Sequence, residues 1–515
     1  MPQSQSPAPA EVCTAFGISS GFVRTLGVPA AGTADWSFEV ELGGIPVVID
    51  LSSFDVCAPG CQHIEYDEAT STVIAPEPCP TYRGSVRGYL DSSVAAAILM
   101  DGVQAFIQFQ GSTWCVEPQR LQIPTAGASD HVLYAAGDAL AVPGVFCDPN
   151  QVEPGDPEGG CPSIAPLTRE CDVALDLDRQ FVNRFGAAPS SFRASRAAAL
   201  NLINAASMIY TSSVSISYRV TATRLPIVAS EFFPLNNPGN PSAADLGAWV
   251  NSYVVAWGSS PLLMQIPRNL VHIISGKGAA QGAIGYAYYN GICNPSLGFG
   301  ATRAVLRPLA RNVTTVAHEF GHNWGARHCT SPDCGIMCAS AGGCVDLTPD
   351  TAFGQVERAQ LCAGRQAFTA CLRTAAAAAY STFGAACTGA SGLPRLSSQG
   401  RPLLGGVFSL LLSNAAPNAA GALYVGVSNT SYAGIPLPFD LSVVGAPGCQ
   451  MLVSQELIVP TLLDGQGAAQ LDFAVPNDPA MLGVPVYNQA AIADASANAF
   501  GYSFTNAGRG LPGNR

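Results

Sequence analysis

Lysine is almost missing from this sequence: Lys277 is the single one among 24 basic residues in a chain of 515. Charge of either sign is thin, at 12% of residues, and 36 acids against those 24 bases leave a net charge of −12. Binding to nucleic acid needs clustered positive charge, so this balance excludes it. No stretch approaches the ~20 successive apolar residues that cross a bilayer. The Pro/Ser-rich opening from Met1 to Ala10 has neither the basic start nor the apolar stretch of a signal peptide, which implies a leader already removed or another route of export. Histidine is scarce as well, with six in all. What the chain does have is cysteine, 17 residues scattered mostly singly and without the C-x-x-C pairs of structural zinc modules. Disulfides are the better reading, and with them an oxidising compartment: a secreted or cell-surface protein.

The length is too great for one core and implies about three domains. From about Asp35 to Asp138, short alternating runs such as Trp36, Phe38, Val40 and Leu42 are broken by Gly and Pro and read as a β-rich domain. Residues 148–160 carry no periodicity and several breakers, so a linker is expected there. From Arg169 strand and helix alternate. A strand is expected at Val173 to Leu177, a helix from near Pro189 capped by Ser190 or Ser191 to about Tyr210, and a strand at Val214 to Val220. A second helix is expected from Ser242 to Trp257, and a buried strand at Leu270 to Ile274, which makes this an α/β domain. The alanine run centred on Ala378 reads as the end of a helix. Beyond Cys387 helical signals stop, and Val407 to Leu412, Ala422 to Val427, Gln450 to Val459 and Ala469 to Val475 fit a β-sandwich. The expected domains are therefore 1–160, 161–388 and 389–515.

Half of the histidines fall within one segment, V-A-H-E-F-G-H-N-W-G-A-R-H, from Val316 to His328. His318 and His322 are four apart, so on a helix both rings face one ion, and Glu319 lies beside them where it can reach a metal-bound water. A catalytic zinc takes three protein ligands and keeps one position open. His328 is too far round to be the third ligand if the helix continued. Gly325 removes the difficulty, because glycine tolerates the left-handed backbone that ends a helix and turns the chain back.

This H-E-x-x-H-x-x-G-x-x-H pattern, with Cys334-Gly335-Ile336-Met337 following it, resembles the metzincin zinc proteases and among them the reprolysin or adamalysin branch. The resemblance implies a multidomain chain: a β-rich propeptide, an α/β catalytic domain with a twisted mixed sheet and a zinc-binding helix, and the appended β domain. It implies one catalytic Zn2+ on His318, His322 and His328, Glu319 as general base, and Met337 as a structural turn beneath the metal. One departure is visible, because that branch commonly has Asp directly after the third histidine and this chain has Cys329. The segments Val271 to Gly276, Ile284-Gly285-Tyr286-Ala287 and Gly291-Ile292-Cys293 are similar to the family's strand and cleft edge, which makes Ile284, Gly285, Tyr286 and Ala287 candidates for binding an extended peptide. Tyr82 to Gly88, Asp91-Ser92, Trp114 to Pro118 and His131 to Tyr134 resemble its propeptide.

That likeness implies a secreted endopeptidase made as a zymogen, acting on a protein or peptide. Cys147 is the candidate thiol for blocking the zinc, with Cys161 and Cys79 as alternatives; Cys147 paired with Cys161 is the competing reading. The count behind it places seven cysteines up to residue 161, eight from Cys171 to Cys371, and Cys387 with Cys449 as a pair at the end. Asp176 and Asp178 read as caps or turn residues, with Ca2+ as the alternative. Two other functions compete. One is a peptidase using H-E-x-x-H with a distant glutamate, for which Glu357 is the next available. The other is an adhesin or binding protein on an inactive protease scaffold, its C-terminal domain binding a surface, glycan or protein.

Overall fold

The computed structural model describes residues 5–29, 32–67, 70–75, 77–89, 91–100, 102–140, 145–146, 168–186, 190–228, 233–278, 281–304, 308–329, 334–338, 351–376 and 378–514. The chain packs as two compact units, Met1–Ala165 with Arg169–Arg373, and Pro166–Thr168 with Thr374–Arg515.

In the first unit the alternating N-terminal runs build a nine-stranded antiparallel sheet. Its order is Ser6–Pro7, Phe22–Thr25, Asp130–Ala135, Ser112–Pro118, Gly102–Phe109, Ser93–Leu99, Thr81–Val86, Ile45–Ser53, Asp35–Leu42. The two-residue period decides which side chains are inside: Phe38, Val40 and Leu42 are buried with Val47, Ile49 and Leu51 on the neighbouring strand. One excursion leaves this sheet. The strand Cys57–Tyr66 and its antiparallel partner Ser71–Ile74 join a second sheet instead, where Cys57–Tyr66 lies parallel to Ile216–Pro226.

That second sheet runs in the order Gly285–Ala287, Phe299–Arg303, Leu270–Ser275, Thr168–Leu177, Ile216–Pro226, Cys57–Tyr66, Ser71–Ile74. Its five strands from Phe299–Arg303 to Cys57–Tyr66 are parallel, and Gly285–Ala287 and Ser71–Ile74 are antiparallel at the two ends. The N-terminal region, expected to stand apart up to residue 160, thus shares a sheet with the central region. The expected strands at Val173 and Leu270 are present as Thr168–Leu177 and Leu270–Ser275, while the run starting at Val214 begins at Ile216 and continues to Pro226. The reason is that the helix Ser190–Val214 takes the residues before it.

This 25-residue helix is buried on nearly all sides because it touches both sheets. On one face Asn204 Nδ2 donates to the carbonyls of Tyr82 (3.0 Å) and Ala96 (3.3 Å) in the N-terminal sheet. On another Ser207 Oγ accepts from Tyr218 N at 3.1 Å, on the central sheet. The next helix, Ala243–Ser259, starts at a capping box in which Ser242 and Asp245 exchange hydrogen bonds. Asp176 is buried against Arg224 and Trp257, and Asp178 caps the short helix Arg179–Asn183 while meeting Ser275 and Lys277.

The second unit has a larger sheet, ordered Ala379–Phe383, Ala507–Leu511, Val486–Ala493, Ala420–Gly426, Leu457–Leu462, and a smaller one of Arg395–Gln399, Val407–Ser413 and Ala469–Ala474. Leu396, Leu410 and Leu412 of the smaller sheet share a buried cluster with Leu423, Ala490 and Ile492 of the larger. Cys387 and Cys449 are disulfide-bonded. Two expectations are corrected here. The run from Gln450 to Val459 is two strands, Gln450–Met451 and Leu457–Leu462. The alanine run lies between the strands Arg373–Ala375 and Ala379–Phe383, the preceding helix having stopped at Ala367. Alanine's helix propensity gives way to burial of Ala375, Ala376 and Ala378. No helix among the described residues is long and apolar enough to cross a membrane.

Among the described cysteines, Cys293–Cys371 and Cys329–Cys334 are bonded, and Cys338 and Cys362 are in disulfides. Cys171 is a free, buried thiol, so the eight cysteines of the central region do not all pair with one another. Cys13, Cys57, Cys61, Cys79 and Cys115 are also free, with the Cys57 and Cys79 sulfurs 3.3 Å apart.

Candidate metal centre

The histidine motif occupies the helix Leu309–Asn323, which is buried along its whole length. Its first turn is set by the N-terminal sheet, because Glu117 Oε1 accepts the N–H of Leu309 at 2.8 Å, and Tyr134 (2.6 Å) and Gln104 (3.1 Å) hold that carboxylate in place. A carboxylate at a buried helix N-terminus satisfies an orphan donor and complements the helix dipole. Burial raises the pKa of Glu117, while Tyr134, the Leu309 N–H and Gln104 work against that rise. At the other end Gly325 has φ +89°, the left-handed conformation that the spacing requires, and the chain turns back so that Ala326 N bonds to Gly321 O at 2.8 Å.

The turn brings three rings to one point. The Nε2 atoms of His318 and His328 are 3.0 Å apart, and His322 Nε2 is 3.1 Å from each. The opposite nitrogens of two rings are engaged: His318 Nδ1–H donates to Ile336 O at 2.6 Å and His322 Nδ1–H to Ala326 O at 2.9 Å. These bonds put the proton on Nδ1 and leave the Nε2 lone pairs aimed at one another. Burial pushes the ring pKa values down, to about 3 for His318 and about 4 for His328, and well below the usual value for His322. Three neutral imidazole nitrogens at this spacing repel unless a cation sits among them, and they match the nitrogen donor set of zinc, whose Zn–N bonds are about 2.0–2.1 Å. The residues therefore fit the metal that the motif implies.

Two glycines clear the space around the group. A Cβ on Gly285 would stand 1.9 Å from Glu319 Oε1, so the buried Glu319 carboxylate lies directly against the edge strand Gly285–Ala287. A Cβ on Gly321 would stand 2.3 Å from Met337 Sδ, so the turn carrying Met337 packs straight onto the helix. Ile284, Gly285, Tyr286 and Ala287 thus lie at the sheet's edge, with Gly285, Tyr286 and Ala287 paired to Thr302, Ala301 and Gly300. The segment after them is tied to the end of the motif helix: Asn323 Nδ2 donates to Tyr288 O (2.9 Å), and Asn290 N to His322 O (2.9 Å).

Residues 167–357 match the family model Reprolysin_5, metallo-peptidase family M12. They form a reprolysin-like metzincin domain. The snake venom metalloproteinase trimerelysin-2 of Protobothrops flavoviridis is 31% identical over 102 residues, 20% of this chain and 51% of the relative. The chain thus spans about half the length of that curated relative. Metalloproteinase-II from Bacteroides fragilis has a solved structure similar to 62% of this chain and 88% of its own, at 9% identity and a TM-score of 0.35.

The metzincin domain also uses residues that its motif does not contain. Glu357, the distant glutamate of the competing peptidase reading, does not take the place of His328 among the grouped ligands; its carboxylate lies under the turn at Gly335 and Met337. Glu117 and Glu357 act on main-chain N–H groups distant in sequence, and no spacing rule announces such a pairing. Cys147 and Cys161 lie outside the described residues, but Val145–Phe146 runs parallel to Gly282–Ala283, immediately before the edge strand.

Proposed function

We propose that this protein is a secreted zinc-dependent endopeptidase. The observation that carries the reading is the convergence of three Nε2 atoms within 3.1 Å beside a buried glutamate. His318, His322 and His328 hold the metal. Zinc bound there supplies a Lewis acid that lowers the pKa of a water to about 7 and polarises the scissile carbonyl. Glu319 takes the proton of the attacking water and passes it to the leaving amine. An extended substrate lies antiparallel along Gly285–Ala287, whose outer side pairs with no further strand among the described residues, and gains main-chain hydrogen bonds there. The disulfides and the venom relative support secretion.

The N-terminal region acts as a propeptide that keeps the enzyme latent, with Cys147 as the blocking thiol. The pairing of Val145–Phe146 with Gly282–Ala283, just before the edge strand, supports this, because Cys147 follows Phe146 directly in the sequence. The C-terminal β-sandwich binds or attaches rather than catalyses. Glu319→Gln tests the central claim: it should keep one zinc per chain by elemental analysis and lose more than nine-tenths of its peptide hydrolysis. A variant that keeps zinc and more than a tenth of the turnover would refute the role of Glu319.

A further inference from the structure

Glu357 comes from the helix Gln355–Ala367, some thirty residues after the last histidine, and its side chain is completely buried. Oε1 accepts the N–H of Gly335 at 2.7 Å and of Met337 at 2.9 Å, while Oε2 accepts the N–H of Gly354 at 2.8 Å. The first two donors flank Ile336, whose carbonyl receives the Nδ1–H of His318 at 2.6 Å. The Ile336 C=O and the Met337 N–H belong to one rigid, planar peptide group and point to opposite sides of it. Glu357 and His318 therefore hold the two edges of the same peptide plane.

We propose that Glu357 is a positioning residue of the metal centre, fixing the ring orientation and tautomer of His318 through the Ile336–Met337 peptide. This rests on the reading of the three histidines as metal ligands. The anion on the N–H edge enlarges the dipole on the C=O edge, so the bond to His318 Nδ1–H strengthens and Nε2 becomes a better donor. The disulfide Cys329–Cys334 brings the residue after His328 to the start of the same turn, so both ends of the ligand set converge on the peptides that Glu357 grips. A carboxylate suits the position because three main-chain donors point at it and it is acceptor-only when ionised. A glutamine would turn its NH2 toward either Gly354 or the pair Gly335 and Met337, and would lose one set of bonds.

The test uses the full chain, with Glu357→Gln and the shorter but acceptor-only Glu357→Asp. Zinc affinity is measured by competition with a chromophoric chelator, the visible spectrum is taken on cobalt(II)-substituted protein, and kcat and KM are measured on a peptide. Glu357→Gln should bind zinc about 10–100-fold more weakly, shift the cobalt bands, and lower kcat with KM little changed. Glu357→Asp should recover part of each. Where the glutamine variant does not fold, the aspartate variant is read alone by the same measures. Wild-type zinc affinity together with a wild-type cobalt spectrum in the variant would overturn the proposal, whatever its thermal midpoint. A wild-type chain that takes up zinc but cleaves no peptide, before or after limited proteolysis that relieves the latency, would overturn the protease reading while affinity and spectrum still decide the role of Glu357. One that takes up no zinc would overturn both.

Discussion

Gly285 shows how narrowly the site is drawn at the scale of one residue. With Glu319 Oε1 only 1.9 Å from where a Cβ would be, Gly285→Ala must displace either the carboxylate or the strand. A displacement near 1 Å in a catalytic group costs about 100-fold in rate, so the alanine variant should lose kcat on that order while binding zinc normally. A kcat within threefold of wild type would show that the carboxylate does not depend on the space that Gly285 leaves it. The three histidines and Glu319 were legible in the sequence because helical geometry turns a spacing of four into a shared face, and because Gly325 permits the return to His328. Glu357 and Glu117 were not legible. Each is an ordinary acid in its local pattern, and its importance comes from main-chain donors that only folding brings to it.

At the scale of the element, the motif helix is held by different parts of the chain at its two ends. Gly325 ends it from within, but its start depends on Glu117, a residue of the strand Ser112–Pro118. Glu117→Ala should leave the Leu309 N–H, the Tyr134 hydroxyl and the Gln104 amide short of an acceptor in the interior, at about 1–3 kcal/mol for each buried group left unsatisfied. Thermal unfolding should show a clear fall in midpoint, and an unchanged midpoint would mean that the bond to Leu309 contributes nothing. The helices were readable from their period and caps, as Ser242 before Ala243–Ser259 shows. The strand Cys57–Tyr66 falls within the stretch readable only as β-rich, and its membership of the central sheet was not legible. Its partner lies about 160 residues on, with His63 opposite Thr223, and alternation within a strand does not name its neighbour.

For the whole molecule, two buried histidines outside the metal centre set part of the acid limit. Burial pushes His272 down to about 3, and burial with the nearby Arg196 pushes His63 down to about 4. Both are depressed relative to an unfolded value near 6.5, so between pH 6.5 and these values the unfolded chain binds more protons than the native one. Stability should therefore be complete above about pH 6.5 and fall as pH drops toward 4 and then 3. Thermal midpoints across that range check this, and His272→Gln should flatten the decline; an identical acid limb in the variant would remove His272 from the account. The division at Arg373 carries a second expectation. A chain ending there should hydrolyse small peptides at close to the full rate, and a folded truncation that fails to do so would give the second unit a part in the chemistry.

The hairpin at residues 57–74 and the Glu117 cap also bear on how such a chain can change over generations. A recombination that replaced the first 140 residues with an unrelated leader would hand the descendant a raw sheet edge at Ile216–Pro226 and a helix start with no acceptor, even with every motif residue intact. The two stretches are therefore bound to be inherited together, and substitutions at Glu117 or along Cys57–Tyr66 should be tolerated only alongside matching ones near Leu309 or Ile216–Pro226.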